Sequence, residues 1–239
     1  MSAGVRSWRV SAGRPRPVQW VSLLTSLWLL GSWAVVLLRD SPEPAARWMV
    51  GSIAVWLWLI WPVWRLSSVS GGEPGLRVKG LAATVLMEWA CVALVLQAAL
   101  WPLRVVGDWG TGLTMWVDLW LLGWGLWGAA WVAWTGVAAR AAAGSWRWAG
   151  TIATGGWLAV MFGGGAVLGV TGMTPPIVAN PWGGLGVAIG LGRGEPGVAV
   201  PAELWSAAGA VGLSGLLAWA GAALAARRVE GSREPATTA

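Results

Sequence analysis

At 239 residues the chain has room for one or two soluble domains, yet 56% of its residues are hydrophobic and only 11% are charged. Its mean hydropathy of +0.63 argues against water as the solvent and points to lipid. The formal charge of +6 does not make a nucleic-acid binder, because the basic residues sit in short segments between apolar runs instead of gathering on one accessible face.

The residue types that are missing exclude much chemistry. There is no histidine and a single cysteine, Cys91, so an intrachain disulfide, haem ligation by histidine, histidine-containing zinc sites and every Ser–His or Cys–His nucleophile are excluded. No cofactor, metal site or catalytic residue is expected, and the chain does not read as an enzyme. The skew towards Trp, Gly, Ala and Arg has the look of a GC-rich genome.

In chain order, Arg6, Arg9, Arg14 and Arg16 precede an apolar run over 18–38. That run is too long for the core of a signal peptide and reads as an uncleaved first span. Further runs at 48–64, 81–103, 113–139, 149–170 and 204–226 are bounded by charge or by Pro and Gly clusters. About 20 helical residues cross a hydrocarbon core of ~30 Å, so the sequence predicts an all-α polytopic bundle of six spans as a single membrane domain over 1–239. Alternating the loops puts twelve basic residues on the cytoplasmic side and only Arg39, Arg47, Arg104 and Arg193 outside. This asymmetry predicts cytoplasmic N and C termini in a cell membrane of the cytoplasmic type. The external segment 171–203 is rich in Gly and Pro. Its apolar centre, 182–191, is too short to cross and reads as a re-entrant or interfacial piece, or as an ordinary surface loop.

On the fourth run, Trp116, Trp120, Trp124, Trp127, Trp131 and Trp134 recur at intervals of 4, 4, 3, 4 and 3, which is one helical face. The opposite face carries Thr114, Asp118, Gly125, Ala129 and Gly136, small or polar residues suited to close helix packing. The ladder is therefore expected to face lipid, or to wall a lateral groove for an apolar substrate. Two carboxylates, Glu88 and Asp118, fall inside predicted spans, where an uncompensated charge costs at least ~2.5 kcal/mol. They lie at different depths, about 11 Å from the inner face and about 8 Å from the outer one, so they do not form a catalytic pair. Gln97 falls at the depth where Asp118 can accept its amide hydrogen bond. That bond would join two helices; the alternative role for Glu88 or Asp118 is to carry a proton or a cation.

The inside loop 65–79, with Arg65, Glu73, Arg77 and Lys79, is the candidate contact for a cytoplasmic partner, or a solvated connector touching anionic headgroups. The string Gly192 to Gly197 matches G-x-G-x-x-G but lies in an external loop with no βαβ unit around it, so it is rejected as a nucleotide site. Gly165 to Gly169 and Gly186 to Gly190 match G-x-x-x-G, a packing motif that 36 glycines make common by chance.

The basic N-terminus, the six spans, the inside loop with Gly72-Glu73-Pro74-Gly75-Leu76, the stretch Ala179-Asn180-Pro181-Trp182 and the tail Ala226-Arg227-Arg228-Val229-Glu230 carry a resemblance at the level of layout. Over most of its length the chain resembles permease subunits of six-helix ATP-binding-cassette exporters that work with a separate ATPase chain. The first inside loop is shorter than an ATPase-contacting helix needs, and Pro15 and Pro17 interrupt the N-terminal arm. The resemblance implies a homodimer in the lipid bilayer, driven by a cytoplasmic ATPase subunit that binds the ATP; no phosphate-binding loop of the chain's own is present. Two other classes fit the composition: a non-transporting membrane subunit or assembly factor, and a small proton-coupled carrier using Glu88 or Asp118.

Overall fold

The computed structural model describes residues 17–38, 42–70, 78–106, 108–141, 148–171, 180–191 and 199–231. Among them every regular element is helical: α1 (Pro17–Leu37), α2 (Pro42–Val55), a π-helical segment (Trp56–Ile60), α3 (Trp61–Ser70), α4 (Val78–Val106), α5 (Thr111–Ala141), α6 (Ala149–Thr171), α7 (Pro181–Leu191) and α8 (Ala202–Gly231). Four stretches are long and apolar enough to cross a membrane: Gln19–Leu37, Ala46–Ser68, Gly80–Pro102 and Ala202–Val229. The 31-residue α5 is not among them, since six tryptophans and Asp118 lower its mean hydropathy.

Local chemistry explains the breaks. Pro62 has no N–H with which to close an α-helical bond to the Trp58 carbonyl, and its ring crowds that carbonyl. The turn before it widens into the π segment, where the Trp61 N–H reaches back to the Trp56 carbonyl. The Trp58 carbonyl then accepts a hydrogen bond from Trp157 Nε1 of α6 at 2.6 Å. α4 ends in a left-handed cap: Asp108 has φ 52°, and the Trp109 N–H bonds the Arg104 carbonyl at 3.1 Å, closing the last turn.

Contacts between helices fix their relative directions. Trp28 reaches Ser52 and Trp56 reaches Thr25, so α1 and α2 are antiparallel. Gln97 meets Asp118 and Leu81 meets Gly136, so α4 is antiparallel to α5. Leu57 lies against Gly125 and Pro62 against Gly128, so α2 and α3 run parallel to α5. Trp131 meets Ala153 while Trp157 lies against Gly128, so α6 runs antiparallel to it. α8 is parallel to α5, with Trp116, Trp127 and Trp134 meeting Leu204, Ser214 and Ala218 in order. These last two helices approach most closely at glycines: a Cβ at Gly123 would lie 3.2 Å from the Gly212 nitrogen.

α5 is the hub. Its small face packs on the π segment and α4 through Gly125 and Gly136, and its tryptophan face packs on α6, α7 and α8. α6 ends, and α8 begins, at the N-terminal end of α5. Between them α7, 11 residues and about 16 Å long, enters the bundle with its first residues. There Trp182 meets Trp58 edge-on at 5.2 Å and stacks on Phe162 at 6.2 Å.

The exposed side chains divide by position. Many exposed leucines sit at mid-helix, among them Leu27, Leu30, Leu94, Leu213 and Leu216, while Leu37 and Leu38 lie at the end of α1. The exposed tryptophans, Trp20, Trp48, Trp64, Trp101, Trp134 and Trp148, lie near helix ends. An aliphatic waist between two aromatic belts is the surface that a bilayer selects.

Candidate functional site

Expected at the lipid surface or as a groove wall, the ladder on α5 divides. Trp116 and Trp120 are fully buried and Trp124 nearly so, Trp127 and Trp131 are half-buried, and only Trp134 is exposed. The lipid-facing expectation fails for the buried members on a physical ground. From Trp116 to Trp134 the ladder runs about 27 Å, so most of its indole N–H groups would lie in hydrocarbon without an acceptor. Five of the six instead find one on a neighbour. Trp116 donates to the Leu204 carbonyl (2.6 Å), Trp120 to that of Pro181 (2.9 Å), Trp127 to Ser214 Oγ (3.0 Å), Trp131 to the Ala153 carbonyl (3.0 Å) and Trp134 to that of Ala218 (2.9 Å). Trp116, Trp127 and Trp134 are 11 and 7 residues apart, three and two helical turns, and serve α8. Trp120 and Trp131 lie on the adjoining stripe and serve α7 and α6.

Trp124 is the exception. Its Nε1 is buried and has no acceptor among the described residues. It borders a cavity of about 470 Å³ walled by Trp124, Trp127 and Trp131 of α5, by Trp157 and Val160 of α6, and by Ala210, Val211 and Ser214 of α8. Among the described residues no charged side chain lines it. Val160 and Ala210 are exposed at its edge, so the space opens sideways between α6 and α8, about half-way along α6 and a third of the way along α8. The groove-wall expectation thus falls on three of the six ladder residues.

The intramembrane polar residues lie elsewhere. Glu88 on α4 is completely buried and its Oε2 sits 2.8 Å from Arg65 Nε on α3, itself 4% exposed. Arg65 Nη1 also donates to Ser68 Oγ at 3.3 Å. This corrects the assignment of Arg65 to the partner-contact loop: α3 continues to Ser70, and the guanidinium turns inward. Glu73 and Arg77 lie outside the described residues, and for Lys79 only the helical backbone of α4 is described. Gln97 Nε2 donates to Asp118 Oδ1, and Trp101 Nε1 donates to Gln97 Oε1 at 2.7 Å, a short relay tying α4 to α5 near its first turns. The structure therefore brings Gln97 and Asp118 together, keeps Glu88 apart from them, and leaves all three away from the cavity lining.

Trp157, Val160, Ala210, Val211 and Ser214 escaped the sequence reading as site residues. The one available signal was the 11 and 7 spacing inside the ladder, which separates the indoles facing α8 from those facing α6 and α7. Comparison with family models, curated proteins and solved structures returns no match.

Proposed function

We propose that the chain is a six-span integral membrane protein of the cell membrane with both termini in the cytoplasm, and that it serves as the permease subunit of a transporter powered by a separate cytoplasmic ATPase. The alternation of helix directions along the chain supports six crossings. So do the two tryptophan belts and the inward bias of the arginines. In this reading α7 is re-entrant: it is too short to cross, and α5 and α8 are parallel with one antiparallel helix between them.

The observation that carries the transport reading is the cavity between α6 and α8. It is membrane-embedded, uncharged and open at the side, which suits an apolar cargo that arrives through the bilayer. The proton-carrier alternative has less support, since Glu88 is ion-paired and Asp118 accepts from Gln97. The ATPase is supplied by the layout resemblance and by the want of any phosphate-binding loop in the sequence. Two copies of this chain would pair around it.

The test is affinity purification of the full chain in mild detergent from its native membrane. Recovery of a Walker-motif ATPase in defined stoichiometry, with ATP hydrolysis that responds to the reconstituted membrane subunit, is the expected result. Stable partners that include no ATPase would replace this reading with that of a non-transporting assembly subunit.

A further inference from the structure

We propose that the seam between α4 and α5, at the end of α5 that carries Thr111, docks a membrane-spanning helix of another protein, and that Asp118 receives a lysine or arginine borne by that helix. The inference rests on the six-span reading for placing α5 in the bilayer and is independent of transport.

The seam is built around a carboxylate that the chain compensates only in part. Asp118 lies seven residues, about 10 Å, beyond Thr111 at the start of α5. Gln97 donates to its Oδ1, held in that orientation by the Trp101 N–H on the amide oxygen. A carboxylate offers about four lone-pair sites, so one neutral donor leaves most of its charge unmet. Oδ2 has no hydrogen-bond partner among the described residues and, unlike the oxygens of Glu88, is not sealed from the surface. No cation of the described residues pairs with it. Arg104, on the same face of α4 as Gln97, lies seven residues further towards the helix end.

The side chains around this oxygen are apolar and open. Leu94 and Trp101, one turn to either side of Gln97, and Met115 and Leu119, beside Asp118, are all exposed. The carboxylate therefore looks out on the face that meets hydrocarbon, where an ion needs a partner. For Glu88 the chain supplies that partner itself, in Arg65. For Asp118 it supplies none.

The missing charge selects the occupant. Acyl chains bring no cation, and headgroup ammonium groups stay at the interface. A second copy of this chain brings none to that depth either: the runs 18–38, 48–64, 81–103, 113–139, 149–170 and 204–226 contain no lysine or arginine, and Arg65 is held by Glu88. An apolar helix of another protein, with one basic residue about two turns below its end, carries the charge to Asp118 and lays its apolar side on Leu94, Met115 and Leu119.

The experiment uses the full chain with Cys91→Ala and Leu119→Cys in lipid nanodiscs. It is mixed with synthetic spanning peptides of leucine and alanine that carry either arginine or glutamine about 10 Å from one end, and a cysteine one turn away. Disulfide formation under mild oxidation reads docking. The arginine peptide should cross-link about tenfold more than the glutamine peptide. Asp118→Asn keeps the shape and an acceptor for Gln97 and should bring that ratio to one, whereas Asp118→Glu keeps the charge and should retain most of the preference. Leu216→Cys, on the exposed side of α8, should show no preference for either peptide.

A ratio of one with Asp118 in place, or an arginine preference that survives Asp118→Asn, would overturn the assignment. Disulfide-linked dimers of the chain that form through position 119 without peptide would overturn it in favour of a second copy. Rapid reaction of the Leu119→Cys thiol with a water-soluble maleimide would place α5 in water and overturn the six-span reading as well; protection from that reagent without any arginine preference overturns the docking alone.

Discussion

Removing one member of the Arg65–Glu88 pair should destabilise the bundle strongly, while removing both should not. Glu88 is 0% and Arg65 4% exposed, with Nε and Oε2 at 2.8 Å. Taking away Glu88 strands the Arg65 guanidinium in a medium that cannot solvate it, and taking away Arg65 removes the counter-charge 2.8 Å from the buried Glu88 carboxylate; breaking a buried pair in this way costs about 3–5 kcal/mol. Replacing both by apolar residues of similar size removes the desolvation cost along with the attraction, and such swaps range from neutral to stabilising by about 1–4 kcal/mol. The variants are Glu88→Leu, Arg65→Met and the double, compared by equilibrium unfolding in dodecyl sulfate titrated into mild micelles. Each single should lose several kcal/mol, and the double should be no more than about 1 kcal/mol less stable than the unaltered protein. Simple addition of the two single costs would refute the reasoning, because it would mean that the charges do not compensate each other.

Three other outcomes follow from the same packing. A Cβ at Gly184 would overlap the Trp120 ring, so Gly184→Ala should cost about 1–3 kcal/mol, whereas Gly186→Ala, which meets nothing within 4 Å, should be near neutral in a detergent thermal-stability assay. Trp120→Phe removes the bond to the Pro181 carbonyl and should loosen α7 by about 1 kcal/mol, read as faster proteolysis in the segment around α7; unchanged cleavage would separate that bond from the docking of α7. A reporter fused after Ala239 should behave as cytoplasmic, and its export would reverse the proposed orientation.

The helices were legible in the sequence because run length alone sets them. The predicted run 113–139 became Thr111–Ala141, and 149–170 became Ala149–Thr171. The second run was cut short at Trp64 because a charge followed it, yet the helix continues to Ser70. A buried ion pair defeats such a reading: Arg65 looks like the start of a loop until the carboxylate that neutralises it, 23 positions on, is seen beside it. Gln97 and Asp118 were within reach on depth alone, since two antiparallel helices joined by a short turn leave little freedom of register. The π segment was not legible, because proline predicts a lost hydrogen bond without saying whether the helix will bend, break or widen.

The ladder's spacing identified one face of α5 but not what that face meets. Periodicity is silent there, because lipid, a groove and another helix all accept an apolar stripe. What decides is the polar atom that each tryptophan carries. In a chain with no histidine and no tyrosine the acceptors left inside the bundle are mainly helix carbonyls, each already bonded within its own helix but able to take a second donor at a lone pair. An indole reaching a neighbour's backbone therefore satisfies itself without demanding a polar side chain opposite, and a bundle poor in polar residues can still be tied together by hydrogen bonds. Trp116, Trp120, Trp131 and Trp134 follow this scheme, each donating to a neighbour's backbone carbonyl, while Trp127 takes the Ser214 hydroxyl instead. Trp124 departs from it: its buried N–H has no acceptor among the described residues, and the same holds for the indoles of Trp61, Trp89, Trp109, Trp182 and Trp219, so the bundle leaves some of these donors unmet where aromatic packing holds the ring in place.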